Sequence, residues 1–208
     1  MSTQLKKKTG RPVDFAKQMV IVEAAARSFF DVGFAASSIE QIAAAAGVSK
    51  VTVYNHFGDK SGLFAAAVEH ECEKMRSYFS LDPSVGASIA DRLKVIGGAM
   101  SAFLNRPEMI QFERRIAAET EQEPAIGRAF LEAGPWRMKA AFSAFLAHAD
   151  AQGDLRVPDP ELAAEQFVSM CKGMGDLERR FGESVSKEAS DARIDGAVRV
   201  FLRAYLAN

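Results

Sequence analysis

The sequence predicts an all-α protein, in which an N-terminal three-helix helix-turn-helix domain carries a larger C-terminal helical bundle, about nine helices in total. Three observations predict it. Apolar residues recur at helical spacing, as Ile21, Ala25, Phe29 and Val32 do against a more polar face with Glu23, Arg27 and Asp31. No segment alternates β-branched and polar residues with the period of two that marks a strand. Helix breakers punctuate the chain at Gly33, Gly47, Gly58, Asp82-Pro83, Arg106-Pro107, Glu123-Pro124, Gly153 and Pro158-Asp159-Pro160.

Between those breaks the expected helices lie near 14–32, 38–46, 49–56, 59–79, 85–105, 107–119, 124–151, 160–181 and 187–206. Gly134-Pro135 falls inside the seventh and should kink it or start a new helix. The 38–46 helix can open with a capping box, Ser37-x-x-Glu40 or Ser38-x-x-Gln41. Gly47 suits the left-handed turn that follows, and Ser49 suits the next N-cap.

The helix over 49–56 is too short to stand alone in water. Its support is an inward set, Ile39, Ile42, Ala43, Val48, Val53 and Phe57, which leaves Val51 and Asn55 facing outward beside Thr52 and Tyr54. Two short helices, a glycine turn and a polar outer face on the second make a helix-turn-helix, whose second helix enters the DNA major groove. Asn55 can pair with adenine, the Val51 methyls can meet a thymine methyl, and Thr52 offers a methyl or a hydroxyl. Lys50, Tyr54, His56 and Lys60 suit phosphates, and Asp59 caps the next helix. Ser37, at the entry to the pair, and Arg11, in the N-terminal KKKTGRP, complete the candidate DNA contacts. Gly10-Arg11-Pro12 reads either as an arm for a narrow minor groove or as a solvated tail.

Charge agrees with one polyanion-binding end. Through residue 60, eight Lys and Arg face five acids, a surplus of +3, so a chain of net charge −1 carries −4 beyond it.

The stretch from Val20 to Phe64 resembles the TetR family of bacterial transcription regulators. The resemblance is carried by Gly33-Phe34, Ile42-Ala43, Ala46-Gly47-Val48-Ser49, Tyr54, Phe57, Lys60 and Leu63-Phe64. It implies that Ser49 to Asn55 lie in the groove, with Tyr54, His56 and Lys60 on the backbone. It also implies a homodimer on a palindromic double-stranded operator, released when a small effector enters the C-terminal domain. Val51 departs from the smaller residue or proline common there, which bears on the operator sequence. Gly134-Pro135, Gly153-x-Leu155 and Asp159-Pro160 are similar to the AefR-like subset. The expected division is a basic arm at 1–12, the DNA-binding domain at 13–58, a linking helix at 59–80, and a ligand-binding and dimerisation domain at 81–208.

In that last part, Met100, Phe103, Phe112, Phe142, Phe167 and Met170 lie on apolar stripes that could be core or could line a cavity, with Trp136 at its edge. The last two helices carry further apolar residues. Gly173, Met174, Val198, Phe201, Leu202 and Tyr205 are the candidate dimer contacts, against the alternative that this stripe closes the monomer core.

Other function classes find little support. Glu69-His70-Glu71-Cys72-Glu73 has one His-Glu pair in place of a bundle metal site and reads as a solvated face, so neither metal nor cofactor is expected. No nucleophile elbow, P-loop or dinucleotide glycine pattern supports an enzyme. Cys72 and Cys171 read as buried free thiols. No apolar run approaches the ~18 residues of a membrane span, and the N-terminus lacks a signal-peptide core, so a cytoplasmic protein is expected. Two alternatives remain beside the ligand-responsive regulator. One is a DNA-binding regulator whose C-terminal domain only dimerises or binds protein. The other is an all-helical enzyme with a coincidental helix-turn-helix.

Overall fold

The computed structural model describes residues 15–76 and 88–207. Those residues form helices α1 (Phe15–Ala36), α2 (Ile39–Ala45), α3 (Lys50–Phe57), α4 (Lys60–Arg76), α5 (Ile89–Leu104), α6 (Pro107–Gln122), α7 (Pro124–Ala133), α8 (Pro135–Gln152), α9 (Pro160–Arg180) and α10 (Lys187–Tyr205). Among them there is no strand, only an isolated bridge between Leu155 and Leu206. The all-α architecture holds. The single helix expected over 124–151 is two, because Gly134 ends α7 and Pro135, at the first helical position, starts α8. Arg11 and the 82–86 connection lie outside the described residues.

Caps follow the sequence where a Ser or Asp precedes the helix. Ser38, Ser49, Ser88, Asp159 and Ser186 each accept an N–H from the residue three positions on. Of the two capping boxes allowed, the chain uses Ser38 with the Gln41 N–H. Gly33 takes φ 89° and ψ 178°, a conformation nearly closed to other residues, and bends the chain where the sequence predicted the first helix to end.

Two hydrophobic cores result. The first joins α1, α2, α3 and α4 to α6 and α7. Phe29, Phe34 and Phe64 pack edge and face, and Phe30 stacks on Phe112 with ring centroids 4.0 Å apart. The second joins α5, α8, α9 and α10 around Phe142, Phe145, Phe167 and Phe201, and Phe103 and Met138 pack against both.

The second core corrects the candidate dimer contacts. Val198 is 2% exposed and Phe201 1%, both inside their own chain. Leu202 and Tyr205 are half-buried against the same core, and the Tyr205 hydroxyl donates to Gln166 Oε1 at 2.9 Å. Gly173 breaks α9 with φ 48° and ψ −155°. The close approach it allows is within the chain, since a Cβ there would sit 2.9 Å from Cδ of Arg193 on α10. Of the candidate side chains Met174, 65% exposed, is the one fully open to a partner, near exposed Leu177 on α9 and Phe181 just past its end. A helical period alone cannot tell a stripe that closes its own core from one that meets a second copy.

Candidate nucleic-acid interface and effector cavity

The helix-turn-helix is built as its inward residues require. Ile39, Ile42, Ala43 and Val53 are buried, and Val48 and Phe57 pack partly buried against them. Gly47, at φ 65°, turns the chain, and Val48 N–H returns to the Ala43 carbonyl at 3.0 Å. Ser49 accepts the Thr52 N–H at 3.1 Å, while their hydroxyls pair at 2.9 Å. This frame leaves Val51, Tyr54 and Asn55 exposed on one side of α3, with Thr52 and His56 half-buried beside them. Lys50 pairs with Glu40 of α2, and its ammonium lies 5.6 Å from the centre of the Tyr54 ring. The Glu40 contact holds the Lys50 pKa up and the Glu40 pKa down.

Two sequence-derived contacts change character. Ser37 is 4% exposed. Its hydroxyl donates to the Gly33 carbonyl at 2.7 Å and receives the Ser28 hydroxyl at 2.9 Å, so it braces the bend and has no face for DNA. Lys60 is half-buried. Its ammonium reaches the Ala35 carbonyl at 3.3 Å and lies 4.6 Å from the Phe34 ring centre, and burial lowers its pKa against the pull of Glu119 and Glu123. Asp59 accepts the Gly62 N–H at 2.7 Å, capping α4.

The head is tied to the body through α6. Glu119 accepts the N–H groups of Phe34 and Ala35 at 3.1 and 3.2 Å, and Arg115 donates to the Phe30 carbonyl at 2.8 Å. These residues escaped the sequence reading, because an Arg and a Glu four apart look like an ordinary solvated helix pair.

Two concavities flank this junction. A polar cleft of about 820 Å³ lies between α1 and α2 on one side and α4 and the start of α6 on the other. An apolar cavity of about 460 Å³ lies among α4, α5, α6, α8 and α9, within the size range of small-molecule sites. Met100, Phe103, Phe112, Trp136, Phe142 and Phe167 line it, with Phe30 and Phe130 adding two more aromatic rings. Met170 is not among the lining residues and packs against the second core. The lining also includes five charged residues that periodicity could not assign. Glu71 accepts from Arg106 at 3.0 Å, Glu113 faces Arg180 at 3.5 Å, Lys139 faces Glu165 at 3.7 Å, and Lys172 faces Asp176 at 3.4 Å. Cys72 lies in the wall and Cys171 in the second core, and burial pushes their pKa values up to about 11 and about 12. No cluster of three metal-ligating side chains occurs among the described residues. No helix among them is long and apolar enough to cross a membrane.

A helix-turn-helix head fused to a helical body with an apolar cavity defines a DNA-binding regulator of the two-domain kind. The chain belongs to the TetR family of bacterial regulatory proteins. Residues 21–67 match the family's N-terminal domain, and residues 91–207 match the C-terminal domain described as that of AefR-like transcriptional repressors. A TetR-family transcriptional regulator of Mesorhizobium loti MAFF303099 is 29% identical with a TM-score of 0.77, covering 95% of this chain and 100% of its own. The flavonoid-responsive regulator FrrA is 32% identical with a TM-score of 0.72, covering 92% of this chain and 98% of its own. The HTH-type transcriptional repressor Rv1474c of Mycobacterium tuberculosis (strain ATCC 25618 / H37Rv) is 26% identical over 120 residues, a match spanning 56% of this chain and 58% of that repressor.

Proposed function

We propose that this chain is a dimeric repressor that holds a two-fold-symmetric operator with α3 and releases it when a small, largely apolar aromatic molecule fills the cavity. The observation that carries this reading is the wall of the cavity itself. It includes Phe30 of α1, so one helix belongs both to the DNA-binding head and to the effector site.

In this reading Asn55 pairs with adenine and Val51 meets a thymine methyl, both from the exposed side of α3. Lys50, Tyr54 and His56 hold phosphates, Arg11 extends the basic arm, and Lys60 positions the bend more than it binds DNA. Residues 13–58 read DNA, α4 links, and residues from 81 onward bind effector and partner. Met174 and Leu177 on α9, with Phe181 at its C-terminal end, form the apolar stripe that a second copy would cover. An aromatic effector is supported by the rings lining the cavity and by the relative named as flavonoid-responsive. A cytoplasmic, non-enzymatic protein follows from the same reading.

The test is to select binding sites from random duplex DNA with the purified protein, measure affinity for the winner at two salt concentrations, and add a panel of aromatic compounds. A two-fold-symmetric consensus that is lost on adding one of them is the expected result. A consensus with no two-fold symmetry would reject the dimeric operator. A symmetric consensus indifferent to the whole panel would reduce the C-terminal part to a dimerisation or protein-contact domain.

A further inference from the structure

We infer that Glu113 is the polar anchor of the cavity, and that it selects a neutral aromatic effector carrying a hydroxyl donor: a phenol, in preference to an acid or an amine. This rests on the cavity being the effector site.

Glu113 lies one residue beyond Phe112 on α6, and its side chain is 20% exposed. The described residues give its carboxylate a single partner, Arg180 at 3.5 Å, longer than the 2.7–2.9 Å typical of a charge-assisted hydrogen bond. No hydrogen bond from a described residue reaches it. Glu71, another carboxylate of the cavity lining, receives a hydrogen bond from Arg106 at 3.0 Å. An ionised carboxylate accepts up to about four hydrogen bonds, and a sheltered one with few of them is costly to keep. Burial accordingly raises the Glu113 pKa, even against Arg180 and Lys172. The cavity therefore presents an acceptor short of a donor.

The charges around it decide what kind of donor. Lys172, Arg179 and Arg180 stand against Asp176 and Glu113, leaving one positive charge in surplus, which disfavours an ammonium. A carboxylate ligand fares no better. It would face Glu113 and Asp176, and each nearby cation is already committed, Lys172 and Arg179 to Asp176 at 3.4 and 3.6 Å and Arg180 to Glu113. A hydroxyl meets neither penalty, and Phe112, Phe142 and Phe167 offer its ring aromatic walls.

The chain's single tryptophan, Trp136, lines the cavity and reports binding by fluorescence. Four probes on one skeleton serve: 4-phenylphenol, its methyl ether, biphenyl-4-carboxylic acid and 4-(aminomethyl)biphenyl. The full-length protein should bind the phenol at least about tenfold more tightly than the other three, the value of one charge-assisted hydrogen bond. Glu113→Leu should bring phenol and ether to equal affinity, and the isosteric Glu113→Gln should fall between. Ether binding as tight as phenol binding, or a phenol preference that survives in Glu113→Leu, overturns the assignment of Glu113 while leaving the effector cavity in place. Failure of all four probes to bind overturns both.

Discussion

The bend at Gly33 and the carboxylate that holds it make a stability prediction whose size can be worked from the geometry. Glu119 takes two backbone N–H groups there, one partly buried and one exposed. A hydrogen bond to a charged group contributes about 1.5–3 kcal/mol when sheltered, and exposure reduces this, so Glu119→Ala should cost about 1–2 kcal/mol in all. Gly33→Ala should cost more, for two reasons. Its φ and ψ lie in a region that costs a residue with a Cβ about 1–3 kcal/mol. The new methyl would also overlap Glu119 Oε1. That oxygen ends a flexible side chain and can move, but it moves with the carboxylate whose Oε2 accepts the two N–H groups, which strains the same two hydrogen bonds. The expected total is about 2–5 kcal/mol. In Gly33→Ala/Glu119→Ala the carboxylate is lost once, not twice, so the double variant should fall short of the sum by about 1 kcal/mol or more. Urea unfolding of the full chain, or thermal unfolding at roughly 2–4 °C per kcal/mol for a protein of this size, measures all three. Strict additivity would show that the methyl never displaces Glu119 and would refute the reasoning. A Glu119→Ala variant as stable as the parent would show that the two hydrogen bonds contribute nothing.

Four other outcomes are expected. Asn55→Ala should weaken the selected operator by about 1–3 kcal/mol and leave random DNA almost unaffected, and equal losses on both would remove Asn55 from base readout. Glu40→Gln frees Lys50 from its partner and should tighten binding to every duplex at low salt, an effect that competition with random DNA would reveal. Glu113 is an acid whose pKa is raised on folding, so it favours the folded state only where it is protonated. Glu113→Gln should therefore melt higher than the parent at neutral pH, with the gap closing as pH falls through the raised folded pKa toward the usual carboxylate value and gone below it, and a gap that widens toward acid would contradict this. With thiol pKa values near 11 and 12, Cys72 and Cys171 should resist iodoacetamide at pH 7 in the folded protein and react on unfolding.

The head was legible in the sequence because its signals are local. Gly33, Gly47, Ser49 and the Ile39–Val53 inward set each state a backbone or burial requirement within a few residues. Most of the cavity's apolar lining was legible as stripes, but which stripes face a void and which face each other depends on packing between distant helices. Met170 and Phe167 share one helix, yet only Phe167 reaches the cavity. Val198 and Phe201 show the same ambiguity at the other end, where apolar spacing is equally suited to a closed core and to an open interface. Buried charge was least legible. Glu113 and Glu119 read as surface residues until partners far off in the sequence, Arg180 for Glu113 and Phe34 for Glu119, are brought beside them.

The stacking of Phe30 on Phe112 has a thermodynamic consequence. Both rings line the cavity, and Phe30 is carried by the DNA-reading head, so an occupant on that wall needs no relay of intermediate residues to reach α1. Coupling of this kind runs in both directions with one magnitude. On the proposed reading, whatever factor an effector takes from operator affinity, a bound operator takes from effector affinity, so operator-bound molecules would respond only at higher effector concentrations than free ones.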